Sequence, residues 1–362
     1  MTMETPASPS STPGRPAKAR IDRRIARLQE LLDSRVAETA QNARRRVWQP
    51  SPRTEAVSQI AVRSRLLRVT EDHPGMTRIQ RVSASKSAAL QVLLLALFEQ
   101  QVRSPQTKDS RTRLPISYND NPLLSTWVEF TALPTVDSTK RRTHPRTAKA
   151  NRERQIKRAL DRLADCGRVE IEPERVHGRY ERFALLDEGT NNAPGNGTTY
   201  YARPKPGRGK TRRLVVTIPV EFFLNGWLDA LSDNEIITYL TLRLMAQAFP
   251  DRHAEGGVFL AQAARQDTFN LDRGFEAHRM LSRYGLIDTI RDRRRNADGT
   301  MDNFEEIGAG QIHRFKLDDS TLTQPAIPRV ITSLTRFAQG LDSDFALLSD
   351  AIDRRTTPKT AS

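Results

Sequence analysis

The chain has 362 residues, 37% hydrophobic and 28% charged, which is enough for two or three domains with real cores and unlike a wholly disordered polymer. Its longest apolar run, AALQVLLLALF from Ala88 to Phe98, is far shorter than a bilayer span, and the N-terminus has no signal-peptide core, so a cytoplasmic protein without a membrane partner is expected. One cysteine, Cys166, excludes an internal disulfide and a cysteine metal cage, while a formal charge of +15 points towards polyanions.

The charge is unevenly placed. Residues 1–213 carry 41 Lys/Arg against 22 Asp/Glu, whereas 214–362 carry 17 against 21. Residues 1–16 are Pro/Ser/Thr-rich and too polar to offset the entropy of ordering, so they read as a flexible tail. Over 17–47, Ile21, Ile25, Leu28, Leu32 and Val36 recur at helical spacing among arginines, predicting a basic amphipathic helix that Pro50 and Pro52 end. Docking on the body, self-association and tracking along DNA are all open to it. Residues 48–82 read as a basic arm.

Ser83–Gln101 predicts a strongly apolar helix suited to a domain centre, followed by a strand at Leu114–Ser117 and a helix at Leu123–Leu133. Thr147 then starts a long helix to about Asp165, with Ile156, Leu160 and Leu163 on one face and Gly167 as its stop. RVEI and YERFALL read as strands around the loop PERVHGR. Residues 188–213 read as a flexible basic linker, rich in Gly, Asn and Pro early and cationic late.

Within it, GRGKT at 207–211 has the look of half a phosphate-binding loop. The required earlier glycine is Pro204, and LVVTI beyond it reads as a strand where a helix is needed, so no nucleotide site is expected. Arg208, Lys210, Arg212 and Arg213 read instead as a strap for DNA phosphates.

The same element order returns about 118 residues later. Ser232 and Glu235 form a capping box that opens a helix to Phe249; Val258–Leu260 reads as a strand, Ala261–Thr268 as a helix, and FEAHRMLSRY as another, stopped by Gly285. LIDTIR and IHRFKL then flank the charged loop RRRNADGTMDN. RALDRLADCGRVEI and EAHRMLSRYGLIDT both carry a leucine four residues before a glycine that leads into an apolar strand. Residues 321–362 read as a helical C-terminal extension.

This repeated pattern resembles a winged helix-turn-helix domain occurring twice, over 83–187 and 214–320, the layout of plasmid replication initiators and some transcription regulators. The resemblance implies a mainly α chain with small β-hairpin wings (α+β) and double-stranded DNA as partner. Opposite the Ile156, Leu160 and Leu163 face lie Asn151, Arg154 and Arg158, with Gln155 and Lys157 at the flank. Arginine can pair with guanine, and Asn or Gln with adenine, so Asn151, Arg154, Gln155 and Arg158 are expected to read bases. The resemblance puts this helix in the major groove. Arg146, Lys149 and Lys157 suit flanking phosphates, as do Arg175 and Arg179 beside His177 in the first wing, and Arg293, Arg294 and Arg295 in the second. The third helix of the second copy exposes Arg273, Glu276, Arg279 and Arg283 on an acidic half; Arg279 is its expected backbone contact, and DNA binding and homodimer formation are both open to this copy.

Size, tandem domains and the basic arm favour replication initiation on a plasmid or mobile element, with transcription regulation as the alternative. A strand-nicking enzyme using Tyr200 or Tyr201 is the rival from another class, but the six histidines include no H-x-H pair and no H-x-x-R beside a tyrosine. No catalysis, cofactor, metal or small-molecule ligand is expected.

Overall fold

The computed structural model describes residues 15–49, 57–84, 88–103, 109–117, 124–134, 147–192, 197–205, 207, 209–254, 256–271, 275–290 and 314–340. Among these, the chain is mainly helical with three two-stranded antiparallel sheets.

The basic N-terminal segment forms two helices, α1 (Arg15–Asp33) and α2 (Val36–Trp48), broken where Arg35 takes a positive φ of 56°. α2 buries Val36, Ala37, Ala40 and Ala43, a stripe of small side chains that lets it approach neighbouring backbone closely. α1 buries Leu28 and Leu31, and its Arg24 pairs with Glu235 at 2.6 Å. Of the roles open to this segment, docking on the body is the one observed.

The region read as an arm supplies a strand. β1 (Gln59–Arg63) pairs antiparallel with β4 (Val215–Pro219), Gln59 opposite Pro219 and Arg63 opposite Val215. α3 (Arg78–Ser83) opens on a capping box between Thr77 and Gln80. α4 (Ala89–Val102) is buried on nearly every side, as its unbroken apolar run requires. Phe98 of α4 meets Phe130 at 6.0 Å and Phe223 at 5.0 Å between ring centroids. Phe223 lies in the region read as a second copy, and its side chain belongs to the same buried cluster as Phe98 and Phe130.

In the first copy, α5 (Trp127–Phe130) and α6 (Ala148–Asp165) precede β2 (Val169–Glu170) and β3 (Ala184–Leu185), which pair antiparallel. Arg111 bridges to Ala184, adding a third extended segment beside β3. The second copy starts with α7 (Glu221–Leu224), α8 (Trp227–Ala230), α9 (Asp233–Ala248) and α10 (Pro250–His253). A π-turn (Ala264–Thr268), α11 (Ala277–Arg283), β5 (Ile287–Ile290) and β6 (Arg314–Leu317) follow, and Val258 bridges to Phe315 as Arg111 does to Ala184. α6 and α11 end alike. Gly167 and Gly285 have φ of 65° and 79°, and the next residue's N–H returns to the leucine carbonyl five positions back, Arg168 to Leu163 at 2.8 Å and Leu286 to Leu281 at 3.0 Å. A terminal helix, α12 (Ala326–Ala338), packs on α1 and α8.

Three expected elements are shorter. Leu114–Ser117 forms no strand, because the carbonyls of Pro115 and Ile116 accept instead from the first N–H groups of α5. The helix expected over Leu123–Leu133 is only α5, since Thr131 is already extended. At Val258–Leu260 only Val258 makes a bridge. The linker also differs: Glu188 and Tyr201 are buried, and Arg63 binds Glu188 at 2.8 Å, Asp187 at 3.0 Å and the Ala202 carbonyl at 2.7 Å, so this part is packed.

Glu99 on α4 is buried, salt-bridged to Arg103 at 2.8 Å and accepting the Arg113 N–H at 3.3 Å. Burial outweighs these partners and pushes its carboxyl from 4.5 up to about 7. Between those values the folded chain keeps a proton that the unfolded chain has lost, so stability should fall as pH rises from about 4.5 to about 7. Urea titrations at several pH values should show that decline in the wild type and a flatter profile in Glu99→Gln.

Candidate nucleic-acid interface

α6 starts where the Thr147 hydroxyl accepts the Ala150 N–H at 3.2 Å, and its Ile156, Ala159, Leu160 and Leu163 lie in the core. The four expected base readers do not share one fate. Arg158 is exposed. Asn151 is buried, and its Oδ1 accepts from Arg154 at 3.1 Å, which draws the Arg154 head back along the helix. Gln155 Nε2 donates to the Pro134 carbonyl at 3.0 Å. Asn151 and Gln155, both expected to read bases, thus each make a hydrogen bond within the chain. An apolar stripe marks only the core side of a helix; it does not register a lateral partner such as the Pro134 carbonyl.

The segment between β2 and β3 folds back onto α6. Tyr180 donates its hydroxyl to Asp161 at 3.0 Å, and burial together with that carboxylate raises its pKa. Arg179 stacks on Tyr180 at 4.9 Å and pairs with Asp161 at 3.4 Å and Glu174 at 3.6 Å. Lys157 pairs with Glu153 at 2.6 Å and lies 5.8 Å from the Tyr180 ring. Lys157 and Arg179, expected on phosphates, are thus largely spent on holding the wing to the helix. Lys149, Arg175 and His177 are exposed, and so is Arg182, which the sequence reading missed because it sits in a segment read as strand.

Arg212 and Arg213 are exposed at the end of a 3-10 turn, Gly209–Leu214. Arg279 is exposed and pairs with Glu276 at 3.0 Å; Arg283 lies over Phe337 at 4.3 Å. Arg146, Arg208, Arg273, Arg293, Arg294, Arg295 and the Lys210 side chain fall outside the described residues. Among the described residues, the exposed cations of α6 and of the loop after β2 are Lys149 in the first turn, Arg158 opposite the Ile156, Leu160 and Leu163 face, and Arg175 in the loop.

Searches against protein-family models, curated proteins and solved structures find no match for this chain.

The tyrosines of the nicking alternative are separated by environment. Tyr201 is buried, whereas Tyr200 is exposed and donates its hydroxyl to Glu170 at 2.8 Å, a bond that raises its pKa and works against nucleophile formation. Among the described residues no group of three His, Cys, Asp or Glu could hold a metal. Cys166 is buried, and that burial pushes its thiol pKa up. A cleft of about 310 Å³ beside Tyr200 is lined by Glu170, Glu172 and Glu181 against Arg111 and Arg182, a balance unfavourable to a polyanion on that side of the wing. No helix among the described residues is long and apolar enough to cross a membrane.

Proposed function

We propose that this chain is a sequence-specific double-stranded DNA-binding protein built from two winged helix-turn-helix units, and that it serves as a replication initiator of a plasmid or mobile element. The observation that carries this reading is the exposed Arg158 on the side of α6 opposite its buried face, with Lys149 of its first turn and Arg175 of the β2–β3 loop also exposed, on the half of the chain with 41 Lys/Arg against 22 Asp/Glu. The paired hairpin, the bridging third segment and the shared glycine-stopped third helix, all occurring twice, support the tandem winged-helix assignment. On this reading α6 enters the major groove, Arg158 meets a guanine edge, and Lys149 and Arg175 hold phosphates on either side. The protein would act by binding, on plasmid or nucleoid DNA in the cytoplasm, without a cofactor. The second unit would contact DNA or pair with a second copy of the chain.

Selection of bound duplexes from a random pool tests this. Enrichment of a direct repeat is expected for an initiator; an inverted repeat would move the assignment to transcription regulation, and no enrichment would end the sequence-specific reading. Arg158→Ala should lose about 1–3 kcal/mol of discrimination at one base position while leaving the fold intact. Asn151→Ala should change stability with little effect on base preference.

A further inference from the structure

Residues 214–362 carry more carboxylates than cations, yet two arginines converge there on one aromatic ring. Val258 pairs antiparallel with Phe315, its N–H donating to the Phe315 carbonyl at 2.6 Å and its carbonyl accepting from the Phe315 N–H at 2.7 Å. That register sets Phe259 opposite Arg314. Val258 and Phe315 are buried, so the alternation of a strand turns Phe259, Arg314 and, two residues on, Lys316 to the outward side of the β5–β6 sheet. The guanidinium carbon of Arg314 lies 5.3 Å from the Phe259 ring centroid, and that of Arg252, from α10, lies 4.6 Å from the same centroid.

The surroundings leave both charges open. Arg314 donates from Nη1 to the Gly256 carbonyl at 3.1 Å, and neither it nor Arg252 makes an ion pair among the described residues. Asp251, next to Arg252, and Asp288, opposite Lys316, are exposed and bind neither guanidinium. Buried His253 stands edge-on to Phe259 at 5.5 Å and donates from Nδ1 to the Gly257 carbonyl at 3.2 Å, while its Nε2 has no partner among the described residues. Burial first, and then the fields of Arg252 and Arg314, hold its pKa below the usual imidazole value, with the Gly257 carbonyl acting the other way. Two like charges anchored on one ring repel each other, and phosphate oxygens beside them convert that repulsion into charge-assisted hydrogen bonds. The ring holds each guanidinium in place without neutralising it. Arg252 and Lys316 are exposed, which suits a phosphate polymer better than a small anion, since a polymer engages several such charges at once.

We propose that Arg252 and Arg314, held on Phe259, bind backbone phosphates of duplex DNA on the outward side of the β5–β6 sheet, with Lys316 extending the contact. The proposal rests on the DNA-binding reading, and of the two roles open to the second unit it selects DNA over pairing with a second copy. It places that contact on the sheet rather than on α11, whose Arg279 is paired with Glu276 at 3.0 Å.

The test uses the full chain and a mixed-sequence duplex of about 30 base pairs, with binding followed by fluorescence anisotropy over a range of salt. Arg252→Ala with Arg314→Ala should reduce the slope of log K against log salt by about 1.8, and Arg252→Lys with Arg314→Lys should keep it. Because Arg314 packs on Phe259, the exposed change Arg252→Ala alone guards against misfolding and should lower the slope by about 0.9. Unchanged slopes in both alanine variants, with tight binding by the wild type, would overturn the site and leave the DNA-binding reading standing. Two further measurements on the same variants then name what the face holds instead. Loss of a thermal stabilisation that inorganic phosphate gives the wild type would mark a site for a free anion, and a fall in the sedimenting mass of the free chain would mark a contact between copies. Failure of the wild type to bind any duplex would remove both the site and the reading.

Discussion

Asp229→Ala is expected to destabilise the chain by about 3–5 kcal/mol in urea unfolding, the range for breaking a buried ion pair from one side. Arg44 is fully buried, and so is its partner. Its two terminal nitrogens bind the Asp229 carboxylate at 2.6 and 2.7 Å, while Nε donates to the Phe130 carbonyl at 3.0 Å and Nη1 also reaches the Phe223 carbonyl at 3.0 Å. Gln91 of α4 donates to the same carboxylate at 2.5 Å. Removing Asp229 leaves a guanidinium in the interior with only neutral partners, and neither water nor a pKa shift can readily neutralise it. The network joins α2 to α4 and α5 through Gln91 and Phe130, and to α7 and α8 through Phe223 and Asp229. Loss should therefore loosen all of these helices together and keep a single cooperative transition. Arg44→Met with Asp229→Leu should cost less than Asp229→Ala alone, because an apolar pair avoids the stranded charge. A single-variant cost below about 1 kcal/mol would show that the pair is not buried in solution.

Much of the fold was legible because its signals are local. The Ser232 and Glu235 capping box opens α9 where expected, with the two reciprocal bonds at 3.4 and 2.8 Å, and Thr147 caps α6. Gly167 and Gly285 stop their helices with positive φ, as the repeated leucine-to-glycine spacing foretold. What escaped was decided by partners far away in sequence. Gln59–Arg63 is a short strand flanked by polar residues, and it becomes recognisable only when Val215–Pro219 lies beside it. Arg44 sits in a run of three arginines that reads as a solvated face, yet it is the one aimed at Asp229, 185 residues on. The helix that carries the candidate site and the exposure of Arg158 were legible, but the intrachain bonds of Asn151 and Gln155 were not. Their amides bind a neighbouring side chain or carbonyl as readily as a base edge, and composition cannot tell those partners apart. The ion pairs of Lys157 and Arg179 were hidden by the same ambiguity, since a cation that neutralises Glu153 or Asp161 looks identical in sequence to one facing solvent.

That distinction between paired and open cations sets the size of the salt effect. A basic residue contributes to counterion release only when it meets a phosphate without first leaving a carboxylate, so the formal charge overstates the number available. On the half of the chain assigned to DNA, the exposed set includes Lys149, Arg158, Arg175, Arg203, Lys205, Arg212 and Arg213. If about six of these engage, affinity for a duplex should fall by a factor on the order of 1,000 between about 50 and about 200 mM salt. Isothermal or anisotropy titrations across that range measure it directly, and a single-stranded competitor should show the shallower dependence expected of its lower charge density. Acetylating or substituting the paired Lys157 should leave the slope unchanged, whereas Arg175→Ala should lower it by about one unit. A wild-type slope below about two would mean that these cations only solvate the surface, and the outward face of α6 would then lose its assignment as a DNA contact.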